Sequence, residues 1–268
     1  MLPESHFKAQ LFYHHDDSRH SRSHDHSVSG NSEITTQKSA IREIKVVRRV
    51  LDVNEKMAEQ NRSIFTSNGV FVLNVMSSPG SGKTTTLEKT LRLIATEIKC
   101  AVIVGDICTT NDADRLAVTG VPVVQVNTDE FGGDCHLAAH VIEKAVGGLN
   151  LDEIDLLVVE NVGNLVCPAE FDIGEDARAV VLSVTEGEDK PAKYPLMFRE
   201  CEVALLNKVD LLPYLDYDKQ MAIDYIHQVH PGMPIFELSA KTEEGFQPWI
   251  DWLKGKVREK VKGTGHRA

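Results

Sequence analysis

The sequence predicts an α/β fold with a mostly parallel sheet covered by helices on both faces, plus an N-terminal helix and a disordered His-rich tail. Three observations carry that expectation. Continuous Val/Ile/Leu runs recur between helical stretches, as in strands buried on both faces. A glycine-rich segment, Ser77-Ser78-Pro79-Gly80-Ser81-Gly82-Lys83-Thr84, follows one such strand and opens a helix. Far downstream, Asn207-Lys208-Val209-Asp210 closes another strand.

Taken in order, residues 1–37 are polar and hold His6, His14, His15, His20, His24 and His26, six of the eleven histidines. Such a stretch buries too little apolar surface to offset its ordering entropy, so it is expected to be disordered. Residues 38–69 form a helical extension: Ile41, Ile44, Val47 and Leu51 recur at helical spacing, and Asn68-Gly69 makes a turn. Residues 70–262 form the main domain. Strands are expected at Val70–Met76, Ala101–Val104, Val121–Val126, Ile154–Glu160, Ala179–Val184, Val203–Leu206 and Ile235–Leu238. Helices are expected from Gly82 to about Glu97, Asn111 to Val118, Cys135 to about Val146, Asp218 to Val229, and from near Glu243.

Composition narrows the function. The 268 residues suffice for a large core, and a net charge of −11 argues against nucleic acid as a partner. No apolar run reaches the roughly 18–20 residues of a membrane span, and the start lacks the basic and apolar regions of a secretory signal. The five cysteines, an odd number, argue against a disulfide framework and for a reduced, cytoplasmic setting.

The glycine-rich segment sits where a P-loop must, between strand and helix, so the expected fold is a P-loop NTPase. Ser78, Pro79, Gly80, Ser81, Gly82 and Thr85 would present backbone groups to phosphate, Lys83 would reach the β- and γ-phosphates, and the Thr84 hydroxyl would bind Mg²⁺. Ser77 stands where the first glycine is usual. Asp106 and Glu160 end strands and are candidate Mg²⁺ and catalytic carboxylates, or else ordinary strand-end caps. The Gly163 amide, just beyond, is a candidate γ-phosphate sensor.

Asn207, Lys208 and Asp210 suit a guanine site. The Asp210 carboxylate can accept from N1–H and the N2 amine of guanine, a pair adenine lacks, which favours GTP over ATP. Lys208 can lie along the base, and Ser239-Ala240-Lys241 can offer a backbone N–H to the guanine oxygen.

Cys135, His136 and Cys167 are thiol and imidazole groups suited to Zn²⁺ or Ni²⁺. Their spacing is not that of a zinc finger, and free cysteines are commonly core residues, the role expected of Cys100, Cys108 and Cys201. One chain supplies three such ligands; a second subunit, water or His140 would complete the sphere. In the tail, His14, His15, His20, His24 and His26 are further candidate metal ligands, or a solvated stretch.

These segments together resemble the HypB family, the GTPases that deliver nickel during maturation of nickel–iron hydrogenase. The resemblance spans about residues 40–255. It rests on Ser77 to Thr84, Gly105-Asp106, Asn111-Asp112-Ala113-Asp114-Arg115, Cys135-His136-Leu137, and Glu160 through Pro168. Ser183-Val184-Thr185-Glu186-Gly187-Glu188-Asp189-Lys190-Pro191 and Leu205 through Tyr214 add to it. The resemblance implies GTP hydrolysis with Mg²⁺ and a homodimer promoted by GTP. It implies nickel or zinc held by Cys135, His136 and Cys167 at the subunit interface. It also implies a hydrogenase maturation partner and a hydrogenase large-subunit precursor as acceptor.

Departures from the family pattern are visible. No Cys-x-x-Cys-Gly-Cys site precedes Cys100, so any storage of metal near the N-terminus would use histidine. Asn127-Thr128-Asp129-Glu130-Phe131-Gly132-Gly133-Asp134 stands where a shorter Gly-Lys-Gly-like segment is usual, and Ala138 stands where Asp is common. No glutamine is placed to orient water, so slow intrinsic turnover is expected. Cys167 lies seven residues after Glu160, on the segment expected to sense the γ-phosphate, so hydrolysis would be coupled to metal release. A urease-type nickel GTPase is disfavoured because its Cys-Pro-His run is absent. A metal-storage protein with a vestigial nucleotide site is disfavoured by the intact Lys83, Thr84 and Asp210.

Overall fold

A computed structural model describes residues 32–106, 111–128 and 135–264, with side chains described from residue 50 and not at 106 or 264. The chain divides into two units, residues 1–45 and 46–268. The described part of the first is helical, the beginning of α1 (Ser32–Ser67). The tail histidines lie outside the described residues.

The second unit is built on seven parallel strands in the order β3-β2-β4-β1-β5-β6-β7. They are β1 (Phe71–Ser77), β2 (Cys100–Asp106), β3 (Val123–Asn127), β4 (Leu156–Glu160), β5 (Ala177–Ser183), β6 (Val203–Asn207) and β7 (Ile235–Glu237). The helices between them are α2 (Lys83–Ile94), α3 (Asn111–Ala117), α4 (Ala139–Val146), α5 (Cys167–Glu170), α6 (Lys190–Lys193), α7 (Pro195–Glu200) and α8 (Lys219–Val229), and α9 (Phe246–Thr264) follows the last strand.

Both faces of the sheet are buried, which is why the strands read as unbroken apolar runs. On one face Phe71, Leu73 and Val75 of β1 pack with Leu87, Leu91 and Ile94 of α2 and with Trp249 and Leu253 of α9. Trp249 is fully buried, and its indole N–H donates to Thr90 Oγ1 at 3.0 Å. On the other face Val72, Ile103 and Val159 meet Val141 and Ile142 of α4, and farther along Met76 and Val180 meet Met197 and Phe198 of α7. Each such large side chain contributes about 1.5–3 kcal/mol by leaving water.

Two expectations are corrected. The helix expected from Cys135 begins at Ala139, because Ala138 is extended and the amides on either side of it are taken by distant side chains: Asn161 Oδ1 accepts from Leu137 N–H, and Asn54 Oδ1 from Ala139 N–H. The last helix begins at Phe246, not near Glu243, since Glu243 (φ 67°) and Gly245 (φ 73°) are left-handed and cannot continue a helix. At the end of α1 the buried side chains are Asn54, Ala58, Asn61 and Phe65, one stripe at helical spacing.

Candidate functional site

β1 ends at the centre of the sheet, and the loop after it turns on Gly80 (φ 78°) and Gly82 (φ 91°). A Cβ on Gly82 would lie 2.5 Å from Asn207 Nδ2, so only glycine fits there. Gly82 also caps α2 without a side-chain hydrogen bond, which leaves the first amides of that helix facing the loop. The cradle opens into a cavity of about 420 Å³ lined by residues 77–85 with Gly105, Asp112, Arg115, Val162 and Gly163. A larger cleft, about 760 Å³, lies at the opposite ends of the strands beside Arg92, Lys99 and Pro122, away from the phosphate loop.

β4 delivers Glu160 beneath this loop. Its carboxylate is almost wholly buried; Oε1 accepts from the Thr84 hydroxyl at 2.7 Å and lies 3.3 Å from Lys83 Nζ. Oε2 is buried and without a hydrogen-bond partner. Burial pushes the Glu160 carboxyl above its usual range, against the pull of Lys83 and Thr84. A hard, orphaned carboxylate oxygen beside a threonine hydroxyl is a donor set suited to Mg²⁺. Asp106 ends β2 beside Asn127 of β3; its side chain is not among those described.

Gly163 presses on the phosphate loop: a Cβ there would lie 3.3 Å from Pro79 Cα. From the other flank Glu186 accepts the Ser78 hydroxyl proton, receives Ser183 N–H at 3.3 Å and pairs with Lys190 at 3.5 Å. Glu186 stood in a recognised run of residues, yet its contact with Ser78 has no signature at the level of spacing.

The base-reading residues converge at the ends of β6 and β7. Asn207 Nδ2 donates to Ser81 O at 2.9 Å, and its Oδ1 accepts from Lys208 N–H at 2.7 Å and Ala240 N–H at 3.1 Å. Lys208 adopts φ 64°, and its Nζ donates to Gly80 O at 2.7 Å and Thr185 Oγ1 at 3.2 Å. Asp210 accepts from Ser239 Oγ at 2.6 Å, and Ser239 Oγ accepts from Lys241 N–H at 3.3 Å. A guanine oxygen would therefore compete for the Ala240 and Lys241 amides.

The sulfur groups divide. Cys100 and Cys201 are buried, and burial raises both thiols, Cys100 to about 12, so neither offers a thiolate. Cys108 lies outside the described residues. Cys135 and Cys167 are half-exposed. Cys135 Sγ is 4.0 Å from His136 Nδ1, and the His136 ring stacks on Phe171 with centroids 3.8 Å apart. Cys167 opens α5. Among the described residues no three His, Cys, Asp or Glu side chains are gathered to hold a metal ion, so one chain does not make Cys135, His136 and Cys167 into a cage.

The fold and the phosphate cradle define a P-loop nucleotide-binding protein, and residues 71–237 match the family model described as CobW/HypB/UreG, nucleotide-binding domain. The hydrogenase maturation factor HypB of Escherichia coli K12 is 51% identical over 213 residues, 80% of this chain and 72% of that protein. That of Azotobacter vinelandii is 46% identical over 230 residues, 86% of this chain and 73% of its own length. A crystal structure of HypB from Helicobacter pylori in complex with nickel superposes with a TM-score of 0.73 at 38% identity, covering 78% of this chain and 96% of that one. The chain belongs to the HypB family. Among the described residues no helix is long and apolar enough to cross a membrane.

Proposed function

We propose that the chain is a cytoplasmic GTPase that carries nickel to a hydrogenase large-subunit precursor and uses the state of its nucleotide to hold or release that cargo. One observation carries the coupling: the segment after β4 lies on the phosphate loop at Gly163 and reaches Cys167 four residues later. The nickel-bound Helicobacter pylori relative supports the choice of cargo.

In this reading the backbone amides at the start of α2 receive the phosphates, and Lys83 leaves Glu160 to contact the β- and γ-phosphate oxygens. Thr84 and Glu160, with Asp106, would hold Mg²⁺, which would supply charge neutralisation at the phosphates. Asp210 turns from Ser239 to the guanine N1–H and N2 amine. Attack by water gives GDP and phosphate, with catalysis mainly from positioning and charge stabilisation. Asn164 occupies the place after Gly163, with no glutamine to orient water, which fits slow turnover that a dimer or partner accelerates. Cys135, His136 and Cys167 bind nickel or zinc, and a second copy of the chain supplies the remaining ligands. Tail ligands His14, His15, His20, His24 and His26 are a reservoir.

The test is nickel binding to the purified chain with a GTP analogue and with GDP, for wild type and Cys135→Ala. A nucleotide-dependent affinity that the substitution abolishes is the expected result. Nickel held only by the tail, at the same affinity with either nucleotide, would refute the coupling while leaving the GTPase intact.

A further inference from the structure

Between the phosphate cradle and the Cys135-His136 segment lies one fully buried polar side chain, Asn161. Its Oδ1 accepts two backbone protons, from Leu137 N–H at 3.1 Å and from Val162 N–H at 2.9 Å. Leu137 directly follows His136, and Val162 directly precedes Gly163, which presses on Pro79. One oxygen thus joins the segment that feels the phosphates to the segment that bears the cysteine and histidine. A second link runs parallel to it: Asn164 Nδ2 donates to Cys135 O at 3.4 Å, while Asn164 Oδ1 accepts Val166 N–H at 2.8 Å, one residue before Cys167.

Asn161 is not free to absorb a shift by rotating. Its Nδ2 donates to Asn74 Oδ1 at 3.2 Å, Asn74 Nδ2 donates to Glu175 Oε1 at 3.1 Å, and Arg178 Nε binds the same Glu175 oxygen. Glu175 Oε2 accepts Ile173 N–H at 2.8 Å. Asn161 N–H itself donates to Val75 O at 3.0 Å. Each side-chain nitrogen and oxygen named along this line has a partner, and breaking one of these bonds leaves a buried polar atom bare. Movement of Val162 and Gly163 is therefore passed on to Leu137.

We propose that Asn161 and Asn164 are positioning residues that transmit occupancy of the phosphate site to the cysteine–histidine segment. The proposal rests on the reading that this segment holds nickel in a nucleotide-dependent way. The experiment measures nickel affinity of the full chain by competition with a chromophoric chelator, with a non-hydrolysable GTP analogue and with GDP. It compares wild type, Asn161→Ala and Asn164→Ala, and follows hydrogen exchange at the Leu137 amide in both nucleotide states. Wild type should show a ratio of affinities between the two states in the range of about 5- to 150-fold. In both variants that ratio should fall close to one, with the exchange difference at Leu137 lost and nickel still bound.

If Asn161→Ala does not fold, the half-exposed Asn164 decides the matter alone. A variant that keeps the wild-type ratio overturns the proposal and leaves the nickel reading standing. Equal weakening in both states, with the ratio kept, reduces the two asparagines to structural supports and overturns it as well. A wild-type chain whose nickel affinity ignores the nucleotide refutes the coupling itself, and this proposal with it.

Discussion

The nucleotide end and the cysteine–histidine end of this molecule are finished to different degrees. At the nucleotide end, loops after β1, β4, β6 and β7 close on one another through Asn207–Ser81, Lys208–Gly80, Asp210–Ser239 and Thr84–Glu160 contacts, all within one chain. At the other end Cys135, His136 and Cys167 stay half-exposed and ungathered. A site that binds a substrate present in every cell can be built in advance. On the function proposed above, a site that must give up its cargo gains from being assembled only in company.

The sharpest way to break the comparison is at Lys83. Lys83→Ala should lower GTP turnover by about 10²–10³-fold, as loss of one charge-stabilising group commonly does, while nickel affinity with GDP bound stays at the wild-type level. Single-turnover assays and chelator competition read the two. Next in size is Asp210→Asn, which replaces one of the two acceptor oxygens proposed for guanine N1–H and N2 with an NH₂ donor. GTP affinity should drop by about 3 kcal/mol, on the order of a hundredfold, and binding of xanthosine triphosphate should rise; nucleotide titration by fluorescence checks both.

How much of this could be read beforehand differs between the two ends for a physical reason. The phosphate loop and Asn207 through Asp210 are local: a strand, a few residues of fixed type, then a helix, so order along the chain determines order in space. The seven strands announced themselves by apolar runs. By contrast α5, α6 and α7 span four to six residues, too short to display a helical period. The start of α4 is set by Asn54 and Asn161, single polar side chains 85 and 24 residues away, and no periodicity encodes such a bond. The buried stripe at the end of α1 was equally hidden, since two of its four members among the described residues are asparagines.

A smaller effect sharpens the comparison from the metal end. Phe171→Ala removes the ring stacked on His136. Such stacking is worth about 0.5–1.5 kcal/mol, so nickel affinity should weaken several-fold while the GTP dissociation constant is unchanged; competition and nucleotide titrations on one preparation would reveal it.

The smallest effect is a pH dependence. Burial holds the Glu160 carboxyl above its ordinary range, so between the unfolded value of about 4.3 and the higher folded one the unfolded chain has already lost a proton that the folded chain keeps. Stability must fall as pH rises through that window. Glu160→Gln has no such proton to lose. The difference in Tm, wild type minus Glu160→Gln, should therefore decrease with rising pH in the absence of nucleotide, by roughly 2–4 °C for each kcal/mol. Taking the difference cancels Glu175, which burial shifts in the same direction. A difference that is flat or rises with pH would show that Lys83 and Thr84 outweigh burial.

The grip of α1 has a consequence for where the coding sequence can be cut. Asn54 holds Ala139 and Asp172, Asn61 holds Ala139 and Ile173, and Arg62 pairs with Asp172 at 2.6 Å. These clamp both sides of the cysteine–histidine segment, and none of them reaches the phosphate cradle. A gene fragment opening just ahead of β1 would still encode the whole phosphate cradle, whereas one that keeps the clamps on the cysteine–histidine segment must open upstream of residue 54. The two ends of this protein thus have different shortest reading frames.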